Sequence, residues 1–341
     1  MHVTLQDVAK QAGVSSKTVS RVVNNQGEIS ETTRQRVQAA IEQLGYSPNI
    51  LARSLVNQRT NTLAVVAWGI DYYGPSRIVV GIENKSDELG YSLFLNLLVR
   101  PDGGDIDRIL DMLIARRVDG ILWAVPEVGN NRSWIDVARL DRLPPIVFLS
   151  MESRSGLMTV SIDNRRGAMQ ATQHLIDQGR RQIGLITGPL AWWEARERQA
   201  GWQAALQQAG LTSSSSLIVE GDWSAASGAR AMHLLLEQEP ALEAVFVCSD
   251  QMALGALGAA HRAGRKIPQD LIISGFDNIP ESEFYWPPLT TVYQQLIEAG
   301  SIAVQNLHQV IESRRKDGPH IQPEATILMP ELVIRESSVQ R

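Results

Sequence analysis

From Leu63 onward the chain alternates short, almost wholly apolar runs with longer amphipathic stretches, and this pattern restricts the fold more than any other feature. The runs fall at residues 63–68, 92–97, 120–125, 146–149, 182–187, 217–220, 244–247 and 271–275. Most are separated by segments with helical spacing of apolar residues: 76–89, 108–115, 165–178, 195–209, 225–237 and 251–263. Strands apolar on both faces, each followed by a helix, imply parallel sheets covered on both sides and joined by right-handed crossovers. So many strands are more than one sheet holds comfortably, and two α/β subdomains are expected.

The residues before this region have a different texture. Leu5, Val8, Ala9 and Ala12 fall on one face of a short helix, with Thr4 and Asp7 at capping-box spacing in front of it. Gly13 breaks the run, and Ser15 can cap a second helix whose Val19, Val22 and Val23 face back onto the first. The opposite face of that helix holds Ser16, Lys17, Thr18, Ser20, Arg21 and Asn24, rich in donors and free of acid. Two short helices joined by a glycine turn, the second with such a face, have the form of a helix-turn-helix that enters a DNA groove. An ordinary helical hairpin with a solvated face gives the same local pattern. Ser30 can cap a third helix, 31–44, with Gly45 just past its end. Pro48 then breaks helix, and 50–57 is one short helical segment, too short to be stable alone and so a candidate hinge that orders against a partner.

Charge separates the two regions. Residues 1–60 hold seven Lys/Arg against four Asp/Glu, so on a chain of net −5 the remaining residues carry −8. A basic head on an acidic body suits a DNA-reading module joined to a domain with another task. The single cysteine, Cys248, excludes a disulfide framework within the chain and suits a reducing compartment. No signal-peptide pattern and no apolar run of membrane-spanning length is visible, so a soluble, cytoplasmic, nucleoid-associated protein is expected.

Ligands of open α/β sheets bind beyond the carboxyl ends of the strands. Those ends carry Trp68, Trp123, Ser150, Asp163, Asp222 with Trp223, Ser249 with Asp250, and Asp277 with Asn278, while Trp192, Trp193, Arg196 and Arg198 follow the run at 182–187. Carboxylates, an amide and guanidinium groups beside indoles match a polyhydroxylated ligand whose apolar C–H face packs on the rings. Taken singly, each tryptophan has an equally good place in a core and each arginine in a structural ion pair. Catalysis finds no support: no nucleophile elbow, P-loop, His-Glu-x-x-His or dinucleotide-binding glycine motif is present, and the histidines lack metal-ligand spacing. No enzyme activity, cofactor or metal is therefore expected. Gly255 and Gly258 lie in a helical stretch and are expected to let it pack closely.

The stretches Val3-Thr-Leu-Gln-Asp-Val-Ala-Lys-Gln-Ala-Gly-Val-Ser and Thr-Val-Ser-Arg-Val-Val-Asn24 resemble the headpiece of LacI/GalR transcriptional regulators, nearest the lac repressor branch. Asn49 to Leu55 resembles their hinge, and the likeness continues through Gly188-Pro-Leu, Ala200-Gly-Trp202, Glu220-Gly-Asp-Trp-Ser224, Asp250-Gln-Met-Ala-Leu-Gly255 and Pro287-Pro-Leu-Thr-Thr291. The resemblance implies a three-helix helix-turn-helix headpiece (1–45), a hinge helix and linker (46–60), and a periplasmic-binding-protein-like α/β effector domain of two parallel-sheet subdomains (61–341). The first subdomain is expected at about 61–161 and 292–322, the second at about 162–290 and 325–341. By the same resemblance Ser16, Lys17 and Arg21 read bases, where a basic side chain favours guanine. Thr4, Ser15, Thr18, Ser20, Asn24, Ser30 and Thr33 hold phosphates, and Ala52 and Leu55 enter the minor groove. Arg198 and Asp277 match residues that bind effector hydroxyls, and Trp223 matches a stacking indole.

The sequence departs from the lac repressor pattern where Ser249 replaces an asparagine, Ser150 an aspartate and Ala124 another asparagine, while Trp68, Trp123, Trp192, Trp193 and Trp286 add indoles near the expected cleft. The expected protein is a homodimer on a palindromic operator, released by a sugar effector, specifically a disaccharide or longer glycoside. A corepressor-dependent regulator of the same family, answering to a purine or another small molecule, is the alternative. The chain lacks leucine heptads after its last strand, which favours a dimer over a tetramer.

Overall fold

The computed structural model describes residues 3–23, 27–46, 60–101, 104, 106–316, 318–319 and 321–339. Asn24, Ala52, Leu55 and nearly all of the expected hinge lie outside them. The chain divides at Asn61 into two units.

The first unit is three helices, α1 (Leu5–Ala12), α2 (Ser16–Val23) and α3 (Glu31–Leu44). Val8, Ala9, Ala12, Val19, Val22, Val37 and Ala40 form its small core, with Leu5, Val23, Ile41 and Leu44 partly buried against it. Helix α1 starts in a full capping box: Asp7 N–H donates to Thr4 Oγ1, and Thr4 N–H donates to the Asp7 carboxylate at 2.8 Å. Gly13 ends it in the left-handed region, at φ 62°, where a side chain would be strained. Ser15 Oγ accepts the Thr18 N–H at 3.1 Å and so caps α2. Ser30 stands at the N-cap of α3, but its hydroxyl pairs with Thr33 Oγ1 at 2.9 Å and not with a backbone N–H.

The second unit contains two parallel sheets. Strands β1 (Thr62–Ala67), β2 (Ser92–Leu97), β3 (Gly120–Ala124), β4 (Ile146–Leu149), β5 (Thr159–Ile162) and β11 (Ala325–Leu328) form a six-stranded sheet in the order β11-β5-β4-β3-β1-β2. Strands β6 (Ile183–Thr187), β7 (Ile218–Glu220), β8 (Ala244–Val247) and β9 (Ile272–Ser274) form a four-stranded one, β7-β6-β8-β9. A short antiparallel pair, β10 (Thr291–Tyr293) with β12 (Glu331–Val333), completes the strands described. The helices are α4 (Tyr73–Glu88), α5 (Ile106–Ala115), α6 (Val137–Leu140), α7 (Asn164–Asp177), α8 (Trp193–Gln208), α9 (Ala225–Gln238), α10 (Asp250–Arg262) and α11 (Leu296–Arg315). Central β1, β3, β6 and β8 are buried nearly throughout, whereas every residue of edge strand β2 is exposed or half-buried.

The chain passes between the sheets three times. Asp163 alone separates β5 of the first sheet from α7; β10 leads into α11, which packs on α4 and the first sheet; and β11 is followed by β12. One boundary differs from expectation. The expected second subdomain includes residues 325–328, but these pair in parallel with β5 and extend the first sheet. Edge strands of three or four residues carry too little alternation for the sequence to show their partner.

Gly255 and Gly258, grouped together in sequence, have different roles. A Cβ on Gly255 would lie 1.7 Å from the backbone oxygen of Ala225, so the α9–α10 contact requires its absence. At Gly258 the nearest atom is the flexible end of Arg262, 3.3 Å away. We expect Gly255→Ala to cost about 1–3 kcal/mol through overpacking. Gly258→Ala is expected to gain about 0.5–1 kcal/mol from lower chain entropy in the unfolded state. Thermal denaturation of the two variants beside the parent checks this opposition of sign.

Candidate functional site

Two surfaces hold the polar residues picked out in the sequence. In the first unit, burial of Val19 and Val22 turns the other side of α2 outward, where Lys17 and Arg21 are exposed and Ser16 and Ser20 half-buried. The hydroxyls of Thr4, of Ser15 and Thr18, and of Ser30 and Thr33 stand at the N-termini of α1, α2 and α3 respectively. Each helix start carries unsatisfied N–H groups and the positive end of the helix dipole, which makes it an anion-binding position. The Thr4 hydroxyl donates to Asp7 at 2.6 Å, and these bonds hold the Asp7 carboxyl below its usual range.

The second surface is a cleft of about 680 Å3, open mouth included, beyond the carboxyl ends of both sheets. The parallel topology places it there. Seven of the nine residues expected to bind an effector line it: Arg198, Asp277, Trp223, Ser249, Ser150, Trp192 and Trp193. Arg198 is its buried polar centre. Its Nε donates to Asn164 Oδ1 at 2.8 Å, and its Nη1 donates to the Cys248 carbonyl at 2.5 Å and stands 3.6 Å from Asp277 Oδ1. The guanidinium lies 3.8 Å from the centroid of Phe276 and 5.6 Å from that of Trp223. Gln294 Nε2 donates to Asp277 Oδ1 at 2.7 Å.

Burial pushes the Asp277 carboxyl up to about 6, against the pull of Arg198 and Gln294. Asp250 lies wholly buried beneath it, accepting from Thr291 Oγ1 at 2.6 Å and from Ile279 N–H at 2.9 Å; burial and the neighbouring Asp277 raise its pKa well above the usual range. Burial likewise pushes the Cys248 thiol up to about 12, which leaves it inert as a nucleophile.

The backbone is most strained around this cleft. Ser150, Trp223, Asp277 and Asn278 have φ of 55°, 71°, 114° and 52°, four of the six non-glycine residues with positive φ among the described residues. Such conformations cost about 1–3 kcal/mol each and persist where their surroundings over-determine them. Trp223 shows how: its indole lies over Gly188, where a Cβ would sit 2.1 Å from the ring. The motif glycine at 188 thus makes room for the stacking indole.

Two expected residues are placed elsewhere. Trp123 is 1% exposed and packs on Trp134, with centroids 4.6 Å apart, inside the core of the first sheet. Its position in β3 points it into that layer and away from the cleft. Trp68 stands behind the wall, packed on Tyr72 and Trp192 at 5.9 and 5.4 Å. Trp286 is 82% exposed on the surface, and Ala124 is buried. The sequence reading missed Tyr72, Tyr73, Asn164, Glu194 and Gln294, all of which line the cleft. The strand-end rule reaches the tyrosines if the loop after β1 is followed further, and Asn164 is the residue after the strand-end Asp163. Gln294 follows a strand too short to be read.

Comparison with known proteins agrees with this architecture. Residues 4–49 match the family described as bacterial regulatory proteins, lacI family, and residues 172–338 match a periplasmic binding protein-like domain. The HTH-type transcriptional repressor PurR of Actinobacillus pleuropneumoniae serotype 3 (strain JL03) is 37% identical over 335 residues, 98% of each chain. PurR of Haemophilus influenzae (strain PittEE) is 35% identical over 334 residues, again 98% of each. Among solved structures, the lac repressor dimer bound to operator and the anti-inducer ONPF superposes with a TM-score of 0.88 at 31% identity, covering all of both chains. A complex of the transcriptional regulator CelR with cellobiose gives 0.72 at 32%, covering 98% of this chain and 100% of that one. The chain belongs to the lacI family of bacterial regulatory proteins. At that level it is a DNA-binding transcriptional repressor, with a helix-turn-helix headpiece on an α/β periplasmic-binding-like domain. No helix among the described residues is long and apolar enough to cross a membrane.

Arg198→Met leaves the Asp277 carboxylate buried without its cation, a loss of on the order of 3–5 kcal/mol. Asp277 already has a raised pKa, and removing Arg198 raises it further. A folded-state pKa above the unfolded one means that the folded protein binds the extra proton, so stability falls as pH rises through that interval. Urea denaturation should therefore show a larger deficit for Arg198→Met at pH 7.5 than at pH 5.

Proposed function

We propose that the chain represses transcription as a homodimer on a palindromic operator, its hold on DNA set by a small molecule in the cleft. The observation that carries this reading is the buried Arg198–Asp277 pair facing a wall of indoles at the carboxyl ends of both sheets. In the headpiece, Ser16, Lys17 and Arg21 read base edges in the major groove. Thr4, Ser15, Thr18, Ser20, Asn24, Ser30 and Thr33 hold phosphates, and Ala52 with Leu55 enters the minor groove between half-sites. In the cleft, Arg198 and Asp277 bind the ligand's polar groups, Trp223, Trp192 and Trp193 pack on its apolar faces, and Ser150 and Ser249 complete the lining.

The relatives give more support to a corepressor-dependent regulator, in which a purine or another small molecule tightens operator binding. The curated proteins named PurR align over 98% of the chain. Indole faces accept a planar base as readily as a sugar ring. A second reading, release by a sugar, is favoured by one observation: a regulator similar over 98% of this chain is solved with cellobiose.

Two measurements test the proposal. Operator DNA selected by the protein from a random pool should bind as one dimer per site in fluorescence anisotropy. Lys17→Ala and Arg21→Ala should each weaken it by about 1–3 kcal/mol if they contact bases. Intrinsic Trp fluorescence with purine bases and disaccharides, repeated on the operator complex, reports ligand class and sign of coupling. A ligand that binds the free and DNA-bound forms equally cannot be the effector.

A further inference from the structure

Glu194 lines the cleft from the first turn of α8, and its Oε2 is buried without a hydrogen-bond partner. The turn that carries it is fixed from both sides. Trp193 N–H donates to the Glu127 carbonyl at 2.9 Å, Gly129 N–H donates to the Ala191 carbonyl at 2.8 Å, and Val128 and Trp192 form an antiparallel bridge. The loop after β3 is thereby joined to the loop before α8 beside the cleft.

The charged groups that act on Glu194 are Arg198 on its own helix and, from the loop after β3, Arg132 and Glu127. The bonds these arginines make go elsewhere, although Arg132 Nε, like Glu194 Oε2, is buried without a partner. Arg198 holds Asn164, the Cys248 carbonyl and Asp277. Arg132 is buried, with Nη1 on Asn131 Oδ1 and Nη2 on the Val125 carbonyl. Glu127 is paired with Arg154. A buried, unpaired carboxyl oxygen is costly, and a ligand that supplies a donor removes the cost.

We propose that Glu194 selects the cleft's ligand, its carboxylate receiving an O–H or N–H that the ligand must present. The proposal rests on the reading of the cleft as the effector site. Burial pushes the Glu194 carboxyl up to about 7, so the accepting carboxylate predominates above neutrality and is lost below it. A hydrogen bond to the charged form is roughly twice as strong as one to a neutral acceptor. A donor-bearing ligand therefore binds more tightly as pH rises from 6 to 8. One proton bound near the middle of that interval allows at most about a tenfold change in affinity across it.

The test uses the full chain. In the first arm, without ligand, the fluorescence of Trp192 and Trp193 follows the titration: a transition centred near pH 7 in the parent and absent in Glu194→Gln supports the proposal. The component centred near pH 7 persisting in Glu194→Gln, beside the Asp277 titration near 6 that both proteins share, overturns it, as does the absence of that component from the parent. Glu194→Asp keeps a carboxyl and should keep a displaced transition, which guards against misfolding of the amide variant. In the second arm cellobiose and adenine are titrated at pH 6 and pH 8. Tighter binding of either at pH 8, with the pH dependence lost in Glu194→Gln, supports the proposal, and pH-independent binding in both proteins overturns it. Failure of both probes to bind counts against the effector reading of the cleft and leaves Glu194 to be decided by the ligand-free titration.

Discussion

The arrangement of the second unit depends on the buried contact between Arg198 and Asp277. Burying two charges is expensive, and the cost is offset only by good geometry and further hydrogen bonds to both groups. Here the guanidinium is packed on Phe276 and donates to Asn164, the residue that opens α7 just after the chain leaves the first sheet. The carboxylate accepts from Gln294, which stands between β10 and α11, where the chain returns. The neighbouring Gln295 donates to the Met329 carbonyl on the third passage. One buried pair is thus bonded directly to two of the three chain passages, and the residue after its partner Gln294 is bonded to the third.

This connectivity links the cleft to the three passages between the sheets. A ligand that bonds to Arg198 or Asp277 competes with Asn164 and Gln294 for the same donors and acceptors, and so acts on the segments that set the angle between the sheets. The loop pairing at 127–129 with 191–193 belongs to the same balance, because backbone hydrogen bonds between loops of different sheets are made in one relative arrangement and broken in another. Packed interfaces of this kind switch between discrete states and do not deform continuously.

The sequence revealed most of what is periodic. Strands β2, β4 and β8 have the bounds their apolar runs suggested, and α1 and α2 pack through the valines and alanines expected. Strands β5, β10, β11 and β12, of three or four residues, were not read as strands, because pairing partners fix their identity more than their own side chains do. The same limit shaped the reading of the cleft. Arg198 and Asp277 follow apolar runs and match family positions, and Trp223 sits in a matched motif, so they were legible. Trp123 failed because strand-end position alone does not say which face of a sheet a side chain occupies, and one residue of phase turns an indole from cleft to core.

The substitutions that set this chain apart from the lac repressor pattern look different with their partners in view. Ser249, in place of an asparagine, does not simply offer a smaller ligand-binding group: its hydroxyl accepts the Met252 N–H at 3.2 Å and caps α10. Polar groups also face the cleft from the first turn of α8 and from the second passage, where Glu194 and Gln294 stand beside Trp192 and Trp193. Asp277 and Glu194 both present acceptors, while Arg198 already spends Nε and Nη1 on Asn164 and Cys248. The Trp223 Nε1–H, buried without a partner, is a donor left for a ligand, so the cleft presents both acceptors and a donor. Sugars and nitrogen bases can both satisfy it, and the number and spacing of their donors, more than the flatness of their faces, separates one from the other.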